Sequence, residues 1–210
     1  MFNNEIFPLH TKILEKQCRA IIERVEEPDV LFDAGPGKIG TEAWILRKYW
    51  PNCIMVGIEP CIRRYNDIVY EYPGLIVNHA VTDEIGTING LQGIGDELQG
   101  NDFTISCSDE DDSYYKKTTI HSVTIDHLDG VYGPFNKIFI WADIEGSESK
   151  LIQGAKEVLS EGRVIGLNLE LTVGKDEHIL DSLYNLGYKL SYRCMVRNEN
   201  HGDYIFVKNI

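Results

Sequence analysis

Positive charge is scarce in this chain: 20 lysines and arginines stand against 33 aspartates and glutamates, a formal net charge of −13 over 210 residues. No long lysine or arginine run offsets this locally. That argues against a nucleic-acid backbone as the main partner and leaves a neutral or cationic small molecule easier to accommodate. The five cysteines (Cys18, Cys53, Cys61, Cys107 and Cys194) are odd in number and contain no C-x-x-C pair. Free thiols in a reducing compartment are therefore expected, which points to a cytoplasmic protein. No segment approaches the roughly 18 continuous apolar residues of a membrane span. The opening MFNNEIFPLHTKILEK has neither the basic start nor the apolar run of a signal peptide. His10, His121, His127, His178 and His201 show no metal-ligand spacing. Repeats and low-complexity linkers are also missing, so residues 1–210 are expected to form one domain.

What is present is alternation. Short β-rich runs exchange with segments of helical period, the pattern of an α/β sheet. Residues 10–26 space Ile13, Leu14, Cys18, Ile21, Ile22 and Val25 for one helix face, making 1–29 an N-terminal helical segment. VLFDA (30–34), IMVGIEP (54–60) and LIVNHAV (75–81) read as the first three strands, with helices over 41–49 and 62–72 between them. Residues 82–130 break the pattern as an inserted β-rich and loop region, with a polar loop at 108–117. KIFIWADI (137–144), a helix over 147–160, VIGLNLEL (164–171) and a helix over 175–186 restore it. The closing YKLSYRC and DYIFVK suit an edge hairpin.

In such sheets ligands sit outside the carboxyl ends of the strands. The first strand delivers LFDAGPGKIGTEAW there, in which Gly35, Gly37 and Gly40 spell G-x-G-x-x-G. Glycines permit positive φ and let a ligand lie against the backbone. Glu59 ends the second strand 22 residues beyond Gly37, where an acid accepts ribose hydroxyls. Together these indicate a nucleoside cofactor. Asp33, two residues before the first glycine, then discriminates among them. A carboxylate a few ångströms from a pyrophosphate is repelled by about 4 kcal/mol at intermediate dielectric. S-adenosylmethionine has no phosphate, and its ammonium and sulfonium are attracted instead. A nicotinamide-dependent oxidoreductase remains the alternative on the same glycines, and a non-catalytic nucleoside-binding module a second.

A further group of acids closes the later strands. Asp143 follows an apolar strand and points to the same crevice as Asp33; Glu145 and Gly146 form the turn. Ser147 suits an N-cap and Glu148 the first turn of the next helix. Glu170 ends the following strand beside Asp143. Adjacent strand-end carboxylates either bind a divalent cation such as magnesium or manganese, or raise one another's pKa for general-base work. Both devices remove a proton from an alcohol. His79 ends the third strand where an adenine would rest. Trp141 offers a sugar-facing platform or a core residue, and Tyr114 and Tyr115 a cover for a substrate.

LFDAGPGKIGTEA, IMVGIEP, NHAVTDEIGTING, SVTIDHL and KIFIWADIEGSESKLIQGAKEVL, with NLEL and DYIFV, together resemble the FkbM family of S-adenosylmethionine-dependent methyltransferases. DIEGSE followed by LIQGA matches its D-x-E-G-x-E signature and helix. The resemblance implies a class I, Rossmann-like methyltransferase fold: a seven-stranded, mainly parallel sheet with an antiparallel edge strand and helices on both faces. It also implies methyl transfer to a hydroxyl of a sugar, glycan or other small molecule. By position, Asp33, Gly35 and Gly37 would hold the methionine end, Glu59 with Pro60 the ribose, and Asn78, His79 and Ala80 the adenine. Asp143 would face the reacting centre, with Glu170 as its catalytic or metal-binding neighbour. Gly35-Pro36-Gly37-Lys38 replaces the family's usual G-A-N-x-G.

Glu59→Ala is expected to weaken cofactor affinity roughly 10- to 150-fold, the worth of a charge-assisted hydrogen bond, in a folded protein. Calorimetry measures it, and unchanged affinity would remove Glu59 from the site.

Overall fold

The computed structural model describes residues 8–37, 39–93, 103–104, 115–198 and 200–208. Strands and helices first alternate: α1 (Pro8–Ile22), β1 (Val30–Ala34), α2 (Thr41–Arg47), β2 (Ile54–Ile58), α3 (Ile62–Ile68) and β3 (Leu75–Val77). Four strands follow, β4 (Ala80–Val81), β5 (Gly86–Gly93), β6 (Phe103–Thr104) and β7 (Tyr115–Val123), then α4 (Ile125–Tyr132). Alternation resumes with β8 (Ile138–Ala142), α5 (Glu148–Gly154), α6 (Lys156–Ser160), β9 (Val164–Thr172) and α7 (Glu177–Asn185). The chain closes on β10 (Tyr188–Asn198) and β11 (His201–Lys208).

Seven strands form the main sheet in the order β10-β11-β9-β8-β1-β2-β3. The neighbours β9, β8, β1, β2 and β3 pair in parallel, whereas β11 is antiparallel to both β9 and β10. The antiparallel strand is thus second from the edge, because the hairpin folds back between β9 and β10. β1 shows why the sheet is buried on both sides. Val30, Phe32 and Ala34 join one core with residues of α4 to α7, and Leu31 joins another with residues of α1, α2 and α3. Strand alternation makes those two faces. No described helix is long and apolar enough to cross a membrane.

Three sequence expectations change here. LIVNHAV is two strands rather than one: β3 stays in the main sheet, while β4 pairs with β7 in a smaller sheet of order β4-β7-β5-β6. The side-chain amide of Asn78 turns back to the carbonyls of Glu59 and Pro60, at 2.8 and 3.0 Å, in place of a sheet ladder. Residues 125–130, expected to end a β-rich and loop region, instead begin the helix Ile125–Tyr132, because Thr124 Oγ1 accepts the His127 N–H at 3.0 Å as an N-cap. The helix over 147–160 breaks at Ala155. Of the polar loop at 108–117, residues 108–114 lie outside the described residues, as does Tyr114.

Gly154 marks where this interrupted helix meets the start of the smaller sheet. A Cβ there would stand 2.1 Å from the Thr82 carbonyl oxygen and 3.2 Å from Thr124 Cβ. Alanine in an open helix gains about 1 kcal/mol over glycine. Forcing a methyl against backbone costs about 1–3 kcal/mol, so the clash wins. Gly154→Ala is expected to lower the melting temperature by several degrees, and an unchanged or raised one would contradict this packing.

Candidate active site

The sheet ladder continues one residue past several strand ends and so fixes where each loop departs. Gly35 N donates to Ile58 O at 3.0 Å, Asp143 N to Ala34 O at 3.1 Å, and Glu59 N to Val77 O at 3.0 Å. The glycine turn, Glu59, Asn78 and Asp143 therefore leave the sheet side by side. Gly35 and Gly37 have φ of 82° and 62°, left-handed conformations that a side chain strains. Gly35 has a second reason to be glycine, since a Cβ would lie 2.1 Å from the Asp143 carbonyl oxygen. The turns after β1 and β8 are in backbone contact.

Asp33 does not open into this crevice as the sequence suggested. It shares the sheet face of Leu31, under α1 and α2, and is 0% exposed. Tyr72, whose ring packs against Gly40 and Gly57, donates its hydroxyl to Asp33 Oδ2 at 2.8 Å. Oδ1 has no hydrogen-bond partner. Burial lifts the Asp33 pKa from 3.8 to about 7, against the opposing Tyr72 hydrogen bond and with help from the charge of Asp143.

Glu59 is buried, and its Oε1 accepts the Cys61 N–H at 2.8 Å, tying the end of β2 to the start of α3. Pro60 and Asn78 are joined by the amide contacts described above. Ala80 is buried as the first residue of β4. His79 lies between the two sheets, with its ring 5.8 Å from that of His121 and its Nδ1 buried without a partner. Burial first, then His121 and His127, lower its pKa. Of the three residues expected around an adenine, His79 is the one with an unmatched polar atom.

Asp143 is the acid that opens to the crevice. Carboxylate oxygens of Asp143, Glu145 and Glu170 lie within 4.8 Å of one another. Desolvation by the surrounding crevice raises the Asp143 pKa well above 3.8 although the residue is exposed, and the charge of Glu170, a hydrogen bond with it, Glu145 and Asp203 add to this. Glu145 sits at a φ of 55°, unusual for a side-chain-bearing residue and part of the tight turn that brings it there. Glu170 is 9% exposed, and its Oε1 meets His201 Nε2 at 2.8 Å. His201 Nδ1 lies 2.8 Å from Thr172 Oγ1. Ser147 occupies the N-cap position of α5 without a side-chain cap bond; the Glu148 carboxylate instead accepts the Ile144 N–H at 3.3 Å. Trp141 is 4% exposed within the core and offers no platform to a ligand.

Four residues at this end of the sheet escaped the sequence reading. Tyr72 holds Asp33, and His201 holds Glu170. Arg64 of α3 lies beside the glycine turn, 3.3 Å from where a Gly37 Cβ would be. Glu42, in the first turn of α2, is 8% exposed and lies within the electrostatic reach of Asp33, Asp143 and Asp203. Only Glu42 carried a local signal, an acid two residues past the third glycine.

Comparison with known proteins agrees with this geometry. Residues 34–190 match the family described as Methyltransferase FkbM domain. Among solved structures, precorrin-6y C5,15-methyltransferase from Geobacter metallireducens superimposes with a TM-score of 0.53 at 11% identity, over 94% of this chain and 88% of that one. Aeropyrum pernix fibrillarin, solved with natively bound S-adenosyl-L-methionine, gives 0.51 at 10% identity, over 92% and 76%. A putative rRNA-methylase from Clostridium thermocellum gives 0.51 at 10% identity, over 93% and 97%. At such identities the likeness is one of fold. No curated protein sequence matches the chain.

The Asp33 environment fixes a pH dependence. A carboxyl with a raised folded-state pKa contributes stability below its unfolded value, near 3.8, and loses it as pH climbs through about 7. Asp33→Asn removes that loss and keeps an acceptor for Tyr72. Relative to the natural protein, its melting temperature is expected to rise between pH 4 and pH 8. A constant difference across that range would contradict a buried, titrating Asp33.

Proposed function

Because the chain belongs to the FkbM methyltransferase family, we propose that it moves the methyl of S-adenosylmethionine to a hydroxyl oxygen of a sugar, glycan or other small molecule. Membership sets aside the nicotinamide-dependent oxidoreductase that the glycine turn also allowed. The observation that carries the oxygen acceptor is the convergence of Asp143, Glu145 and Glu170 at the mouth of the sheet.

The residues present fit the cofactor. The crevice is rich in carboxyls, Asp33 and His79 each keep a buried polar atom without a partner, and Gly35 and Gly37 keep the turn bare of side chains. Gly35 and Gly37 would line the methionine end, with Asp33 supplying charge from beneath; Glu59 and Pro60 would hold the ribose, and Asn78, His79 and Ala80 the adenine. When bound, the cofactor supplies an electrophilic methyl on a positively charged sulfur.

Asp143 then has the task of taking the hydroxyl proton. Its raised pKa makes it a stronger base once ionised, and a neighbouring positive charge favours ionisation. Glu170 shares the proton through its hydrogen bond with Asp143, and His201 fixes the Glu170 carboxylate from behind. Such general-base assistance contributes about 10²- to 10⁴-fold in rate. A second reading rests on the same 4.8 Å grouping: Asp143, Glu145 and Glu170 as oxygen ligands of magnesium or manganese, whose charge would lower the hydroxyl pKa. With Trp141 in the core, the preference for a neutral hydroxyl acceptor rests on the acidity of the crevice.

An acceptor screen read by S-adenosylhomocysteine release tests the proposal. Asp143→Asn is expected to lose most turnover while still binding S-adenosylhomocysteine, and an active variant would sink both readings. Full activity in chelator would exclude the metal, whereas loss in chelator with recovery on adding metal would support it. Cofactor binding without release on any acceptor would favour a non-catalytic nucleoside-binding module.

A further inference from the structure

Three of the six histidines gather where the two sheets meet. β4 and β7 pair in parallel, with Ala80 opposite Ser122. One residue back in that register, His79 of the β3–β4 crossing stands against His121 of β7, with both side chains on one face. Their ring centres are 5.8 Å apart and the rings are tilted by 36°. His127, in the first turn of α4, is near enough for its charge to act on His79.

The setting is the reverse of the strand ends, where acids crowd. The charged groups that act on His79 are His121 and His127, and no carboxylate of the described residues is among them. On its other side His121 lies opposite the neutral Thr87 of β5. Burial and the two neighbouring imidazoles favour the neutral ring of His79, which is the form that binds a metal. Its Nδ1 is buried without a hydrogen-bond partner, a costly state unless a ligand meets it.

The spacing suits a shared ion. An imidazole nitrogen lies about 1.1 Å from its ring centre and about 2.0–2.1 Å from a bound zinc, so two rings on one ion have centres roughly 5–6 Å apart. Imidazole suits zinc, copper and nickel, whereas magnesium and manganese go to carboxylates. We propose that ring nitrogens of His79 and His121 hold a transition-metal ion of the zinc, copper and nickel class, with water completing its shell. This site is separate in residues and in ligand chemistry from the grouping of Asp143, Glu145 and Glu170, and it does not rest on the cofactor reading. The ion would tie the crossing between the sheets to β7. Held on one nitrogen of His79, it leaves the other for the adenine contact given to that residue above.

Zinc alone tests the site. Calorimetric titration is made on Asp143→Asn, which breaks the carboxylate grouping, and on the same protein carrying His79→Gln or His121→Gln. Asp143→Asn is expected to bind one zinc ion per chain. Each histidine change should weaken that binding by about 10- to 100-fold, at least the cost of losing an outer-shell partner at a metal site. His121 is exposed, so its variant keeps the test open if His79→Gln does not fold. No zinc bound by Asp143→Asn overturns the proposal, and so does unchanged affinity in His121→Gln.

Discussion

Negative charge held close at the carboxyl ends of the strands governs the rest of this structure. Asp33 after Phe32, Asp143 after β8, Glu170 near the end of β9 and Asp203 on β11 are brought together by sheet register: Asp33 lies opposite Trp141, two residues before Asp143, and Asp203 opposite Glu170. The same register forbids their separation. Relief comes from protons, from hydrogen bonds such as those of Tyr72 and His201, and from ligands of opposite charge. The upward pKa directions of Asp33, Glu42 and Asp143 come first from burial, and the neighbouring acids add to each.

The two carboxyl pairs use different relief. Asp33 is closed off and meets a hydroxyl, a neutral donor whose own pKa is driven up by burial and by that carboxylate. Glu170 meets an imidazole, and Thr172 on the far ring nitrogen can donate or accept. The His201 ring thus bridges Glu170 and Thr172 and holds the Glu170 carboxylate in place. The acid fixed by tyrosine is sealed within the core. The one fixed by histidine stands beside Asp143 at the crevice.

Much of this was legible in the sequence, for reasons that can be located. VLF and IFIWA are short apolar runs, so the two strands, and the places of Asp33, Asp143 and Glu170 near strand ends, followed from pattern. Side-chain direction did not follow. Asp33 and Asp143 looked like partners in one crevice, but Asp33 keeps the alternation of β1 and faces α1 and α2, while Asp143 has already left the strand. His201 and Tyr72 were invisible because their roles depend on which strands are neighbours. His201 meets Glu170 only because β11 lies against β9, with His201 opposite Thr172. LIVNHAV misled because a run of β-formers does not announce that it changes sheets midway.

That change of sheets has a mechanical consequence. Two residues, Asn78 and His79, carry the chain from β3 to β4, and the Asn78 amide is bonded to the carbonyls of Glu59 and Pro60. So short a crossing has no slack to absorb a displacement. The smaller sheet is thereby tied, through two residues, to the Glu59–Pro60 corner and to the ring of His79, so the place of one sets the place of the other.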